Sequence, residues 1–154
     1  MSIKNSIMDS TSIEMRVKKR NGKLEDVQFD KILNRIKKLG TEAGIQINYS
    51  SLAMKVIDQL YDQIETTKID ELAAEQCASL TTQHPDYGVL ASRIVISNHQ
   101  KNTDKRFINV VSNLYNFKDI HGEHKPLVSQ QLWEFANMYQ KDIDCFIENE
   151  RDYL

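Results

Sequence analysis

Between Met15 and Leu39 the apolar residues change their spacing once, and that change leaves little freedom in how this part of the chain can fold. Ile13, Met15 and Val17 alternate with Glu14, Arg16 and Lys18, and Val27 and Phe29 alternate with Asp26 and Gln28, the pattern of half-buried strands. From Ile32 through Leu33, Ile36 and Leu39 the period becomes about 3.6, that of one helix face. Between the strand segments stands Lys18-Lys19-Arg20-Asn21-Gly22-Lys23, a tight basic turn. Face parity selects its length. A loop of Asn21 and Gly22 alone would pair Val17 with Asp26 and put the apolar rows on opposite sides of the ribbon. A loop of Arg20, Asn21 and Gly22, with the glycine left-handed at its end, pairs Met15 with Val27 and Ile13 with Phe29. The second register is expected.

Helical spacing then dominates. Asp30 is suited to cap the first helix and Gly40 to stop it. Ser50 or Ser51 can cap a second, with Ala53, Val56, Ile57, Leu60, Tyr61 and Ile64 in one stripe. An extended piece at 64–66 leads to Thr67, a cap for a third helix carrying Ile69, Leu72, Ala73, Cys77 and Leu80, with Glu71 supporting its start. His84-Pro85-Asp86 breaks that helix and opens a fourth, because proline is tolerated only in a first turn. Tyr87, Leu90, Ala91 and Ile94, joined by Val89, Val95 and Ile96, make the fourth helix the most buried one expected. A fifth carries Phe107, Ile108, Val111, Leu114 and Tyr115, and 118–125 reads as a loop. Leu132, Phe135, Ala136 and Tyr139, then Ile143, Phe146 and Ile147, resume the pattern. The fold class expected is α+β, mainly α: a flexible arm over 1–12, a sheet of at most three strands on four helices over 13–102, and a helical extension over 103–154.

Composition excludes several function classes. Hydrophobic residues make up 40% and charged residues 27% of 154, a globular balance. Twenty basic against 22 acidic residues leave a net charge of −2, so general affinity for nucleic acid or an anionic membrane is not expected and any anion site must be local. The opening MSIKNSIMDSTS has neither a signal peptide's apolar run nor a transit peptide's arginines, and a cytoplasmic location is expected. Cys77 and Cys145 lack the near neighbours of a zinc or redox pair. His84, His99, His121 and His124 show no metal-ligand spacing, and Trp133 and Tyr139 read as packing residues.

Lys18, Lys19, Arg20 and Lys23 have two readings. Lysines at a hairpin tip guard a sheet edge against unwanted pairing. Lys31, however, lies just inside the first helix, where backbone amides and the helix dipole favour an anion, so cations and amides would converge on a polyphosphate. Glu25, beside the turn, could accept a hydrogen bond from an exocyclic amino group such as adenine's, or pair across the ribbon with Arg16 or Lys18; chemistry leaves the two equal. Neither a Walker nor a dinucleotide glycine motif occurs.

Val17-x-Lys19-Arg20-x-Gly22, followed by Glu25-x-Val27-x-Phe29-Asp30-Lys31-Ile32, resembles the opening of the ATP-cone, the module that regulates ribonucleotide reductase large subunits. Met54-Lys55-Val56-Ile57, Thr66-Thr67 with Asp70 and Leu72-Ala73-Ala74-Glu75, Leu80 through Tyr87, and Ala91-Ser92-Arg93-Ile94 with Ser97-Asn98 extend the likeness to the eukaryotic-type class I enzyme over 13–117. Asn21 stands where the family often has aspartate; either suits the turn. The resemblance implies a four-helix bundle capped by a small sheet, with 103–154 entering the catalytic region. It implies ATP or dATP as allosteric effector, with Mg2+ as a companion ion, held by Lys19 and Arg20 at the turn, by Glu25, Asp26, Val27, Gln28, Phe29, Asp30 and Lys31 along strand and helix start, by Thr66 and Asp70, and by Lys101 on the fourth helix. Implied partners are the remainder of the large subunit, in a homo-oligomer, and indirectly the small subunit. No reductase chemistry is implied, since neither cysteine matches a catalytic context. A stand-alone ATP-cone module and a helical domain gripping some other anion are the competing expectations.

Overall fold

The computed structural model describes residues 15–153, which fall into two compact units that divide between Ala91 and Ser92. The expected class holds: the described chain is mainly helical with one small mixed sheet. In the first unit β1 (Arg16–Lys18) and β2 (Leu24–Asp26) form the hairpin, followed by α1 (Phe29–Thr41), α2 (Tyr49–Ile57), β3 (Ile64–Glu65) and α3 (Thr66–Ser79). Then α4 (Asp86–Asn102) begins, and the division between the units falls within it. β1 is the middle strand, antiparallel to β2 and parallel to β3.

The hairpin adopts the register that face parity selects. Arg16, Val17 and Lys18 stand opposite Asp26, Glu25 and Leu24, and Val27 N donates to Met15 O at 3.0 Å. Gly22 closes the turn at φ +80, a left-handed conformation that costs glycine no Cβ clash. Gly22 N donates to Lys19 O, Lys19 N to Lys23 O, and Asn21 Oδ1 accepts from Lys23 N at 3.1 Å. Ile13, the expected partner of Phe29, and the arm 1–12 lie outside the described residues.

Several boundaries differ from expectation. Gln28, not Asp30, occupies the N-cap of α1, and Asp30 falls inside the first turn, where its charge still complements the helix dipole. Gly40 does not stop α1. It is a buried helical residue whose missing side chain admits the Tyr49 ring, and the chain turns left-handed only at Gly44, φ +69. Asn48, rather than Ser50 or Ser51, caps α2, its Oδ1 accepting from Ser51 N at 3.0 Å. α2 ends at Ile57, so Leu60, Tyr61 and Ile64 do not continue its stripe; Gln63 at φ 61 turns the chain, and Ile64 enters β3 completely buried. α3 starts at Thr66, one residue before the expected cap Thr67, with Glu65 in the cap position. Nor is α4 buried all round. It hides Leu90, Ala91, Ile94, Ser97 and Asn98, one helical stripe, and leaves Val89 and Val95 about half exposed.

In the second unit α5 (Phe107–Tyr115), α6 (Gln130–Met138) and α7 (Gln140–Phe146) precede a 3-10 turn at Asn149–Tyr153. Ile108, Val111 and Ala136 form its core, with Phe107, Val128 and Trp133 packed on them, and Trp133 stacks on Tyr115 at 5.0 Å. The loop 118–125 is ordered around Asp119, whose carboxylate accepts from Lys125 Nζ at 2.7 Å and from the amides of His121 and Glu123. The Lys125 bond, aided by those amides, holds the Asp119 carboxyl below its usual range. The carboxamide of Gln100 ties the final turn to α4, donating to Asp152 Oδ2 at 2.6 Å and to Asn149 O at 2.8 Å. No helix among the described residues is long and apolar enough to cross a membrane.

The two cysteines provide a check on this packing. Cys77 is sealed in the first unit, and burial pushes its thiol up to about 12, whereas Cys145 on α7 is exposed. Because the thiolate is the reactive species, a disulfide-exchange reagent at pH 8 should consume one equivalent promptly and the second only on unfolding. Prompt reaction of both would contradict the core.

Candidate functional site

The cations of the hairpin are only partly given to water. Arg20 Nη2 lies 3.2 Å from Asp70 Oδ2, and Arg35 of α1 grips the same carboxylate with both nitrogens of its fork, Nε to Oδ1 at 2.6 Å and Nη2 to Oδ2 at 2.9 Å. Hairpin, α1 and α3 therefore meet on one carboxylate. Asp70 occupies a core position of α3, in line with Ala73, Ala74 and Cys77, and its side chain is 8% exposed against 28% for Arg20 and 24% for Arg35. A buried carboxylate demands compensation, and a bidentate guanidinium gives the strongest form of it. Arg35 makes the shorter, two-pronged contact; Arg20 makes the longer, single one.

Around this triad the strands carry further ion pairs. Lys19 Nζ lies 3.3 Å from Glu25 Oε2, Lys18 Nζ 2.9 Å from Glu65 Oε1, and Arg16 Nε 3.8 Å from Asp26 Oδ1. Such exposed pairs contribute up to about 1 kcal/mol each and rearrange readily. Glu25 thus pairs with Lys19 and not with Arg16 or Lys18, because the register sets it opposite Val17. The Asp62 carboxylate accepts from Arg16 N at 2.9 Å, and that backbone bond, first among its causes, lowers its carboxyl below the usual range.

Of the residues named from sequence, Lys19, Arg20, Glu25 and Asp70 are drawn into these contacts, and Asp26 joins through Arg16. Val27 is half-buried in the ribbon, Gln28 caps α1, and Phe29, Asp30 and Lys31 form its exposed first turn. Thr66, partly buried, opens α3 one turn before Asp70. Lys101 sits in the last turn of α4, within the second unit. Arg35 went unnamed, although its signal was present: it lies beside Ile36, one turn from Ile32 and Leu39, so its stem runs along the apolar stripe. Asp70 carries the matching signal, an acid on the Ala73–Cys77 face. Among the described residues no group of three or more His, Cys, Asp or Glu is placed to hold a metal ion.

Residues 15–102 match the model of the ATP cone domain. The chain is also 42% identical over 139 residues to a ribonucleoside-diphosphate reductase large subunit of Caenorhabditis elegans, covering 89% of this chain and 18% of that protein. It is 43% identical over 141 residues to the vaccinia virus large subunit, with 90% and 18% covered. With the Neurospora crassa large chain the identity is 38% over 143 residues, with 90% and 15% covered. The chain therefore spans less than a fifth of the length of these relatives.

Proposed function

The chain belongs to the ATP-cone family, and from that premise we propose that its first unit binds ATP and dATP as allosteric effectors of a class I ribonucleoside-diphosphate reductase, as the N-terminal regulatory part of a large subunit. The observation that carries this reading is the Arg20–Asp70–Arg35 triad, which holds the basic turn against α1 and α3 instead of leaving it a loose tip. An incoming phosphate can recruit Arg20 while Arg35 keeps both Asp70 oxygens paired, so no buried charge is stranded. Lys19 and Lys31 add cations, the first turn of α1 adds its dipole, and Glu25 released from Lys19 offers an acceptor to an amino-bearing base. In this reading Thr66 and Asp70 flank the nucleotide on the α3 side. Mg2+ accompanies the triphosphate in this reading. ATP and dATP differ by one hydroxyl, so regulation rests on a small differential affinity amplified by assembly with the rest of the large subunit in a cytoplasmic homo-oligomer, and indirectly with the small subunit.

Calorimetry tests it. ATP and dATP should release heat and GTP should bind more weakly; Lys19→Ala and Arg20→Ala should each weaken ATP by roughly 10-fold or more, the worth of a charge-assisted bond. Pyrophosphate binding as well as ATP would reduce the site to a general anion grip, and silence with both adenine nucleotides would end the proposal.

A further inference from the structure

We infer that Arg35 is a positioning residue of the nucleotide site: by gripping Asp70 with both prongs of its fork it makes the Arg20 contact exchangeable, so that the guanidinium of the turn can pass from carboxylate to phosphate. The inference rests on the functional reading above and adds the residue that sets the free-energy cost of ligand entry. Asp70 is an acid on an otherwise apolar helix face, beside the buried Ile69, Ala73, Ala74 and Cys77. A carboxylate so placed is stable only while it is paired. Its two guanidinium partners stand on elements of different kinds. Arg35 lies in the middle of α1, next to Ile36, which is 2% exposed, and closes Oδ1 at 2.6 Å and Oδ2 at 2.9 Å. Arg20 stands on the hairpin turn, among the exposed residues Asn21, Gly22 and Lys23, and reaches Oδ2 at 3.2 Å.

The oxygen that Arg20 reaches is therefore one that Arg35 already serves, and withdrawal of Arg20 leaves both carboxylate oxygens with a donor. Without Arg35 the relation inverts. Oδ1 loses its donor, the buried charge comes to depend on Arg20, and recruiting Arg20 to a phosphate strands that charge unless Asp70 takes up a proton. Other charges on α3 and the elements around it are engaged elsewhere. Lys68 pairs with Glu71 at 2.9 Å, Lys18 with Glu65 of β3 and Lys19 with Glu25. Glu75 of α3 is exposed, as are Lys55 and Asp58 at the end of α2, the helix packed on α3.

Calorimetry of the 154-residue chain with ATP and with pyrophosphate, at pH 8 and pH 6 and in two buffers of different protonation heat, tests the proposal. Relative to the parent, Arg35→Gln should bind either probe at least about 10-fold more weakly at pH 8, regain affinity at pH 6, and take up a proton on binding. Arg35→Lys, which keeps the charge and gives up the second prong, should bind without that uptake. A purely structural role for Arg35 would weaken binding alike at both pH values. That result, an Arg35→Gln chain that binds as the parent does, or equal proton uptake by both variants would each overturn the proposal. A parent that binds neither probe would end the nucleotide reading and this one with it, whereas a parent that binds and variants that follow it would end this one alone. Pyrophosphate bound as tightly as ATP, with the same proton uptake, would remove the adenine specificity and leave Arg35 its role.

Discussion

Asp70→Ala should lower the melting temperature of the first unit by roughly 8–24 °C and abolish measurable ATP binding at the site proposed. Removing the shared carboxylate takes away the acceptor on which Arg20 and Arg35 converge. Breaking a buried pair costs about 3–5 kcal/mol, and the partial exposure of both guanidinium groups reduces that to about 2–3 kcal/mol here. For a unit of this size each kcal/mol moves the midpoint by roughly 4–8 °C. Circular dichroism, with Cys77 reactivity as a reporter confined to the first unit, measures it. The contacts to Asp70 also order the single substitutions: Asp70→Ala should cost most, Arg35→Ala less, and Arg20→Ala least, because Arg20 gives that carboxylate one long contact where Arg35 gives it two short ones. An Arg20→Ala variant as unstable as Arg35→Ala would assign Arg20 to the scaffold and withdraw it from the ligand.

What could be read without coordinates divides along a physical line. Where one periodicity had to reconcile with another, the solution was nearly unique. The hairpin register, its left-handed Gly22 and the position of β3 after α2 are in that class, because a slip of one residue would have turned Val17 outward. Helix ends were less legible. Caps at Gln28 and Glu65 bond no amide through their side chains, so residue preference had nothing to register, while Asn48 competed with two nearby serines of similar capping strength. The reach of α2 was overestimated because Leu60, Tyr61 and Ile64 keep helical spacing by coincidence; the turn at Gln63 that separates them carries no glycine. At the site, the cations and Asp70 were visible as residues, but their mutual pairing was not. Charge alternation along β1 and β2 suggests several partners for each side chain, and only the arrival of α1 and the hairpin at the same carboxylate of α3 selects Arg35.

Ile64→Ala should cost the first unit about 3–4 kcal/mol, in the range for emptying a fully buried aliphatic site, while Ile64→Val should cost about 1 kcal/mol. Ile64 is completely buried, pairs with Val17 across the parallel edge of the sheet, and stands two residues before the start of α3. It is thus the side chain that fixes where α3 begins relative to the hairpin. The placement of Asp70 against Arg20 depends on that anchor, since a contact of 3.2 Å tolerates little drift of one element past the other. The expectation therefore has two parts, a fall in urea midpoint and a weaker Kd for ATP measured well below the new melting temperature, where the variant is still folded. Ile64→Val should show little of either. If Ile64→Ala lost stability but kept the affinity of the parent, the sheet would be a support for the bundle alone, and the coupling of turn to α3 would have to be sought in Arg35, which reaches Asp70 without passing through the strands.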